Sequence, residues 1–166
     1  LDRLALAAAP GAGGLTLLPY LDGERTPNLP NATGSLHGLT RSNATPENLA
    51  RAVVEGMLLG LAAAVDAVRA AGCPVHRVLL IGGAAASVAV QEVAADVFGV
   101  PVAIPSPGEY VAVGAARQAA WALAGGDAPP AWDVAVDGTI DPDEAGRARA
   151  AEVRGRYAAT VAATYP

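Results

Sequence analysis

With 166 residues, the chain is long enough for one domain with a sizeable core. It is 52% hydrophobic, 4% aromatic and 16% charged, with no apolar run near the ~18 residues a membrane span needs, so it reads as a globular protein rich in small residues. A formal charge of -5 argues against nucleic acid, which needs a basic face, and all 11 basic residues are arginine, so P-loop and Schiff-base lysines are excluded.

Residues 1–9 read as the end of a helix, broken by Pro10 to Gly14. Leu15 to Leu21 is a short apolar run containing Pro19, which has no N–H for a ladder; a strand here stops at Pro19 or lies at an edge. Asp22 to Gly38 reads as a long polar loop. Thr45 is a suitable N-cap, Pro46 fits the first helical position, and Glu47 complements the positive end of the helix dipole. Leu49, Val53, Met57, Leu61, Ala64, Val65 and Val68 then recur at helical spacing, marking an apolar face that runs to the stop at Gly72. Gly56 and Gly60, four apart, let another backbone approach closely.

Val78 to Ile81 shows no alternation, as expected of a strand covered on both faces. A helix from about Ser87 to Phe98 follows, then Gly99, a strand over Val100 to Ile104, a Pro-Ser-Pro-Gly-Glu turn, and a helix from Glu109 to Ala124. The order strand–helix–strand–helix implies a parallel sheet with right-handed crossovers. Residues 126–142 read as a linker and 143–166 as a carboxyl-terminal helix. Acidic residues 141–144 and the arginines of 147–156 suit a solvated helix with charges complementing its dipole.

Cys73 is alone, so no disulfide or cysteine zinc site forms within the chain, and His37 and His76 read as surface or hydrogen-bonding residues. The chain begins Leu-Asp, which raises the expectation of a fragment. Gly82 and Gly83 end the Val78–Ile81 strand at the edge where open α/β sheets place ligands. Without side chains they allow a ligand against the backbone, and the next helix points free N–H groups there. A tight turn with no ligand also accounts for an isolated Gly-Gly pair. The dinucleotide fingerprint G-x-G-x-x-G is absent.

"LLPYLDGERTPNLPNATGSLHGLT", followed by "ENLARAVVEGMLLGLAAAVDAV", resembles the carboxyl-terminal domain of the FGGY carbohydrate kinases, with "PYL-GERTP" wording closest to the xylulokinases among them. Gly34, Leu36, Gly38, Leu39, Asn48, Leu49, Ala52, Val53, Val54 and Glu55 fill that family's second signature in order. "IGGAAASVAVQEVAADVFGVPV" resembles its adenosine segment, and Gly108 to Trp121 its closing helix. Val90, Glu92 and Val113 depart from the usual residues at positions that touch packing more than chemistry.

The resemblance implies an α/β, ribonuclease-H-like (actin-like ATPase) lobe, partial, with a mostly parallel sheet flanked by helices. Residues 1–125 are the expected nucleotide-binding domain, its amino-terminal part missing. The implied activity is the ATP-binding part of a cytoplasmic kinase that phosphorylates a ketopentose such as D-xylulose. Kinases for glycerol, gluconate or ribulose, or a module that binds nucleotide without catalysis, stand as alternatives. Gly83 and Ala84 become a backbone platform for adenosine, Gly82 gives clearance, and Ser87 takes a nucleotide-bonding position. Glu24 and Arg25 either face the cleft between lobes or stabilise their own loop. ATP and Mg²⁺ are implied as cofactors, with ATP/ADP, a sugar and the missing amino-terminal lobe as partners. A homodimer is left open, and neither nucleic acid nor membrane is expected. No metal ligand or catalytic residue is expected here: the Asp-x-Gly-Thr and Gly-Thr-Ser-Gly phosphate turns and the catalytic aspartate would lie in the missing part.

Overall fold

The computed structural model describes residues 1–166. The chain forms five helices and two small sheets: α1 (Asp2–Ala7), β1 (Thr16–Leu18), β2 (Ser35–His37), α2 (Pro46–Ala70), β3 (Val78–Leu79), α3 (Val88–Phe98), β4 (Val102–Pro105), α4 (Tyr110–Ala124), β5 (Val136–Ile140) and α5 (Glu144–Thr164). No helix is long and apolar enough to cross a membrane.

The local signals act as expected. The Thr45 hydroxyl accepts from the Asn48 amide at 3.2 Å, Pro46 opens α2, and Gly72 turns the chain at φ +84° just beyond it. Ser87 caps α3 by accepting from the Val90 N–H, and Gly99 closes it in the left-handed region. His37 takes the expected hydrogen-bonding role, 2.8 Å from the Ser35 hydroxyl.

Which face of α2 is buried is a correction. Leu49, Val53, Leu61 and Val68 are 39–51% exposed, while Ala50, Ala52, Val54, Gly56, Leu58, Leu59 and Ala62 face inward. The inward face is richer in alanine and glycine, so neighbours reach the helix backbone. A β-carbon at Gly56 would lie 2.5 Å from Leu17 O of β1, so α2 and β1 meet there at backbone distance. Close packing outweighs the simple count of apolar residues on a stripe.

The sheets also differ from expectation. β2 falls inside the presumed long loop and pairs antiparallel with β1, Thr16 opposite His37 and Leu18 opposite Ser35. The second sheet has the order β3–β4–β5. β3 and β4 are parallel, joined through α3, but β5 runs antiparallel to β4 with Val102 opposite Ile140. The sheet is therefore mixed rather than mostly parallel, and the 126–142 segment read as a linker supplies an edge strand. Nor is the Val78–Ile81 run covered on both faces. Leu80 is buried, but Leu79 and Ile81 are 39% and 46% exposed because α4 buries none of its residues. Instead α4 is tied to the following segment, with Arg117 Nε donating to Pro130 O and Trp121 Nε1 to Gly126 O.

One core joins α2, α3, β1, β4 and α5, with Leu18, Leu58, Val93, Phe98, Val102 and Tyr157 among its buried members. α5 is thus more than a solvated appendage. Arg154 pairs with Asp66 of α2 and donates to Val97 O at 2.7 Å, while Arg156 donates to Thr16 Oγ1 and Gly11 O. Long arginine stems lie along the packed surface and deliver their charged heads to backbone carbonyls.

Candidate functional site

A cleft of about 600 Å³ opens beyond the carboxyl ends of β3 and β4. Leu80 to Gly83 form one wall, Ile104 to Tyr110 the other, and α3 and β5 contribute Gln91 and Asp137. Both strands end here, so backbone and side chains converge on a ligand-sized space at the edge where open α/β sheets bind.

Gly82 and Gly83 differ in what they require. Gly82 sits at φ +93°, where a side chain is strained, so backbone conformation alone explains its glycine. Gly83 is not in the left-handed region, and a β-carbon there would meet no atom within 4 Å. Neither packing nor conformation within the chain calls for glycine at 83. The turn-only reading therefore covers Gly82 and leaves Gly83 without a reason.

Ala84 and Ser87 lie outside the lining, although both belong to the same turn. Ser87 is spent inside the chain, its hydroxyl capping Val90 and donating to Asp2 Oδ1 at 2.7 Å. Asp2 Oδ2 in turn accepts from the Val88 amide at 2.9 Å. The Ser87 bond, with help from Val88, holds the Asp2 carboxyl below the usual carboxylate range. So the first of the α3 amides expected to point free at a ligand, that of Val88, is taken by an aspartate 86 residues earlier in the chain.

Glu24 serves its own loop: Oε1 accepts from the Arg25 and Thr26 amides at 2.8 and 3.1 Å. Arg25 is exposed, in no ion pair, and does not line the cleft. The structure thus brings Gly82 and Gly83 to the cleft but not Ala84, Ser87, Glu24 or Arg25.

Sequence reasoning missed several cleft residues. Ser106 Oγ donates to Asp137 Oδ1, and the Tyr110 hydroxyl donates to Ser106 O, which stiffens the second wall. Gln91 Nε2 donates to Ala85 O at 2.6 Å. No motif flags these residues; they meet only because β5 pairs with β4 and α3 lies over the Gly83–Ala86 turn. A second groove, about 370 Å³, lies by the carboxyl end of α3 and holds Arg69, Arg147 and Arg154. Arg69 and Arg154 are committed to Asp66 and to Phe98 O and Val97 O, so they cap the helix.

Together, the strand-end cleft and the open space over Gly83 give an α/β lobe a ligand-sized opening beyond the ends of β3 and β4. The sequence pattern of the FGGY family of carbohydrate kinases, C-terminal domain, matches residues 1–123, and the chain belongs to this family. It is 45% identical over 148 residues to the xylulose kinase of Streptomyces coelicolor, covering 87% of this chain and 30% of that relative. Among solved structures, the xylulose kinase of Bifidobacterium adolescentis is 49% identical with a TM-score of 0.74, over 93% of this chain and 31% of that one. That of Rhodospirillum rubrum is 32% identical with a TM-score of 0.82, over 99% of this chain and 33% of that one. The chain thus spans about a third of the length of these relatives. The fold is the ribonuclease-H-like, actin-type α/β lobe, present in part.

Proposed function

We propose that the chain is the ATP-binding lobe of a sugar kinase that transfers the γ-phosphoryl group of ATP to a ketopentose, D-xylulose, giving D-xylulose 5-phosphate and ADP. The observation that carries this reading is the cleft of about 600 Å³ beyond the ends of β3 and β4, where Gly82 and Gly83 line the wall and no side chain fills the space over them. The xylulose kinases among its relatives support the choice of sugar. In this reading Gly82 and Gly83 let adenosine lie against the backbone, and Ala84 and Ser87 support the turn from behind. Mg²⁺ enters with the phosphates of the nucleotide, and the sugar and its base belong to the amino-terminal lobe. The enzyme works in the cytoplasm, where ATP is supplied.

The test is Gly83→Val in the full-length kinase. A β-carbon at 83 would meet no atom of the chain within 4 Å, so the fold should survive while ATP affinity falls tenfold or more by calorimetry. Unchanged affinity in a folded variant would remove the cleft from the mechanism. The chain by itself should phosphorylate no pentulose in a coupled assay, because phosphoryl transfer depends on positioning groups carried by both lobes.

A further inference from the structure

Resting on the ATP-site reading above, we infer that Gln91 is the side chain with which the cleft selects the nucleoside, its Oε1 accepting a hydrogen bond from an N–H or O–H donor of the ligand. Gln91 stands one turn into α3, its amide donating to Ser87 O at 3.0 Å, and its side chain reaches the cleft wall. There Nε2 donates to Ala85 O at 2.6 Å. A carbonyl oxygen only accepts, so this bond fixes which end of the planar amide is which. Oε1 is left as the acceptor, with no partner in the chain.

The rest of the lining has the same polarity. Ser106 and Tyr110 have given their hydroxyl protons to Asp137 and to a backbone carbonyl, Glu109 and Asp137 are carboxylates, and no arginine or histidine lines the cleft. Its side chains therefore offer acceptors, beside apolar surface from residues such as Ile81 and Ile104. That combination suits the uncharged, donor-bearing end of a nucleotide and repels phosphate. Two groups have the required chemistry: the exocyclic amine of adenine and the ribose hydroxyls.

The experiment compares ATP, ITP and 2′-deoxy-ATP as phosphoryl donors for the full-length kinase, in wild type, Gln91→Met and Gln91→Glu. Wild type should prefer ATP over ITP if the amine is the donor, or over 2′-deoxy-ATP if the ribose is. Gln91→Met keeps the length but removes the acceptor, and should erase that preference by about three- to tenfold, the weight of one neutral hydrogen bond. Gln91→Glu loses the Ala85 bond but keeps acceptor oxygens, and should retain the preference. If Gln91→Met weakens all three nucleotides equally, or none, Gln91 only props the turn and the inference is overturned while the ATP site stands. If wild type uses none of the three, the ATP-site reading itself falls.

Discussion

Replacing each of the two α2 glycines by alanine should move stability in opposite directions. Within a helix, Gly→Ala is worth about 0.5–1 kcal/mol through backbone entropy and propensity. At Gly60 the nearest atom to a new β-carbon is the Tyr157 hydroxyl at 3.6 Å, an ordinary contact. Gly60→Ala should therefore collect the gain. At Gly56 the new carbon would lie 2.5 Å from Leu17 O and 3.1 Å from Leu17 Cβ. Carbon–oxygen contacts of this kind settle at about 3.3–3.6 Å, so α2 and β1 would have to part by about 0.8 Å. Overpacking of that kind costs about 1–3 kcal/mol, which exceeds the propensity gain. Gly56→Ala should thus lose about 1–2 kcal/mol net and lower Tm, while Gly60→Ala should gain about 0.5–1 kcal/mol and raise it. Calorimetric melting of the full-length protein, with a urea titration, reads both. If the two variants shift Tm upward alike, the close approach of α2 and β1 at Gly56 is refuted.

Glu55→Ala should cost about 3–5 kcal/mol by urea unfolding, because Oε1 serves both the Gly11 amide at 2.8 Å and the nearly buried Arg51 guanidinium at 2.6 Å. A loss below 1 kcal/mol would mean these groups find other partners. Two aspartates should give pH dependences of opposite sign. The folded Asp2 carboxyl is held low, so its stabilising bonds are present above the unfolded pKa and are lost as pH falls through its folded pKa; the deficit of Asp2→Asn should shrink in acid. Burial, and then the negative charge of Asp143, push the Asp96 carboxyl up, so ionising it costs stability as pH rises from the unfolded towards the folded pKa. Asp96→Asn should accordingly stabilise at pH 7 and lose that advantage below about pH 4; denaturation at both pH values checks both signs. Finally, light scattering of the chain by itself should show self-association, because β1 and β3 each keep an open edge and Val111 and Leu123 of α4 are 84% and 91% exposed. A monodisperse monomer with a sharp melt would refute this.

Short-range chemistry in the sequence was enough for the helix boundaries. Thr45–Pro46, Gly72, Ser87 and Gly99 act on N–H and C=O groups within a few residues, so they read the same before and after folding. The glycine pair at the end of the Val78–Ile81 run was legible in the same way, and a cleft opens beside it. Three other matters depended on partners far along the chain. Ser35–His37 and Val136–Ile140 carry little strand character of their own, and become strands because β1 and β4 offer edges to pair with. The buried face of α2 was settled by the carbonyl of Leu17, since a helix buries the side its neighbours can approach most closely. Ser87 was claimed by Asp2, 85 residues away, and Gln91 was turned toward the cleft by Ala85 O. A hydroxyl or amide in a sequence has several partners available; only the tertiary structure decides which one it meets, and so which of its atoms is left for a ligand.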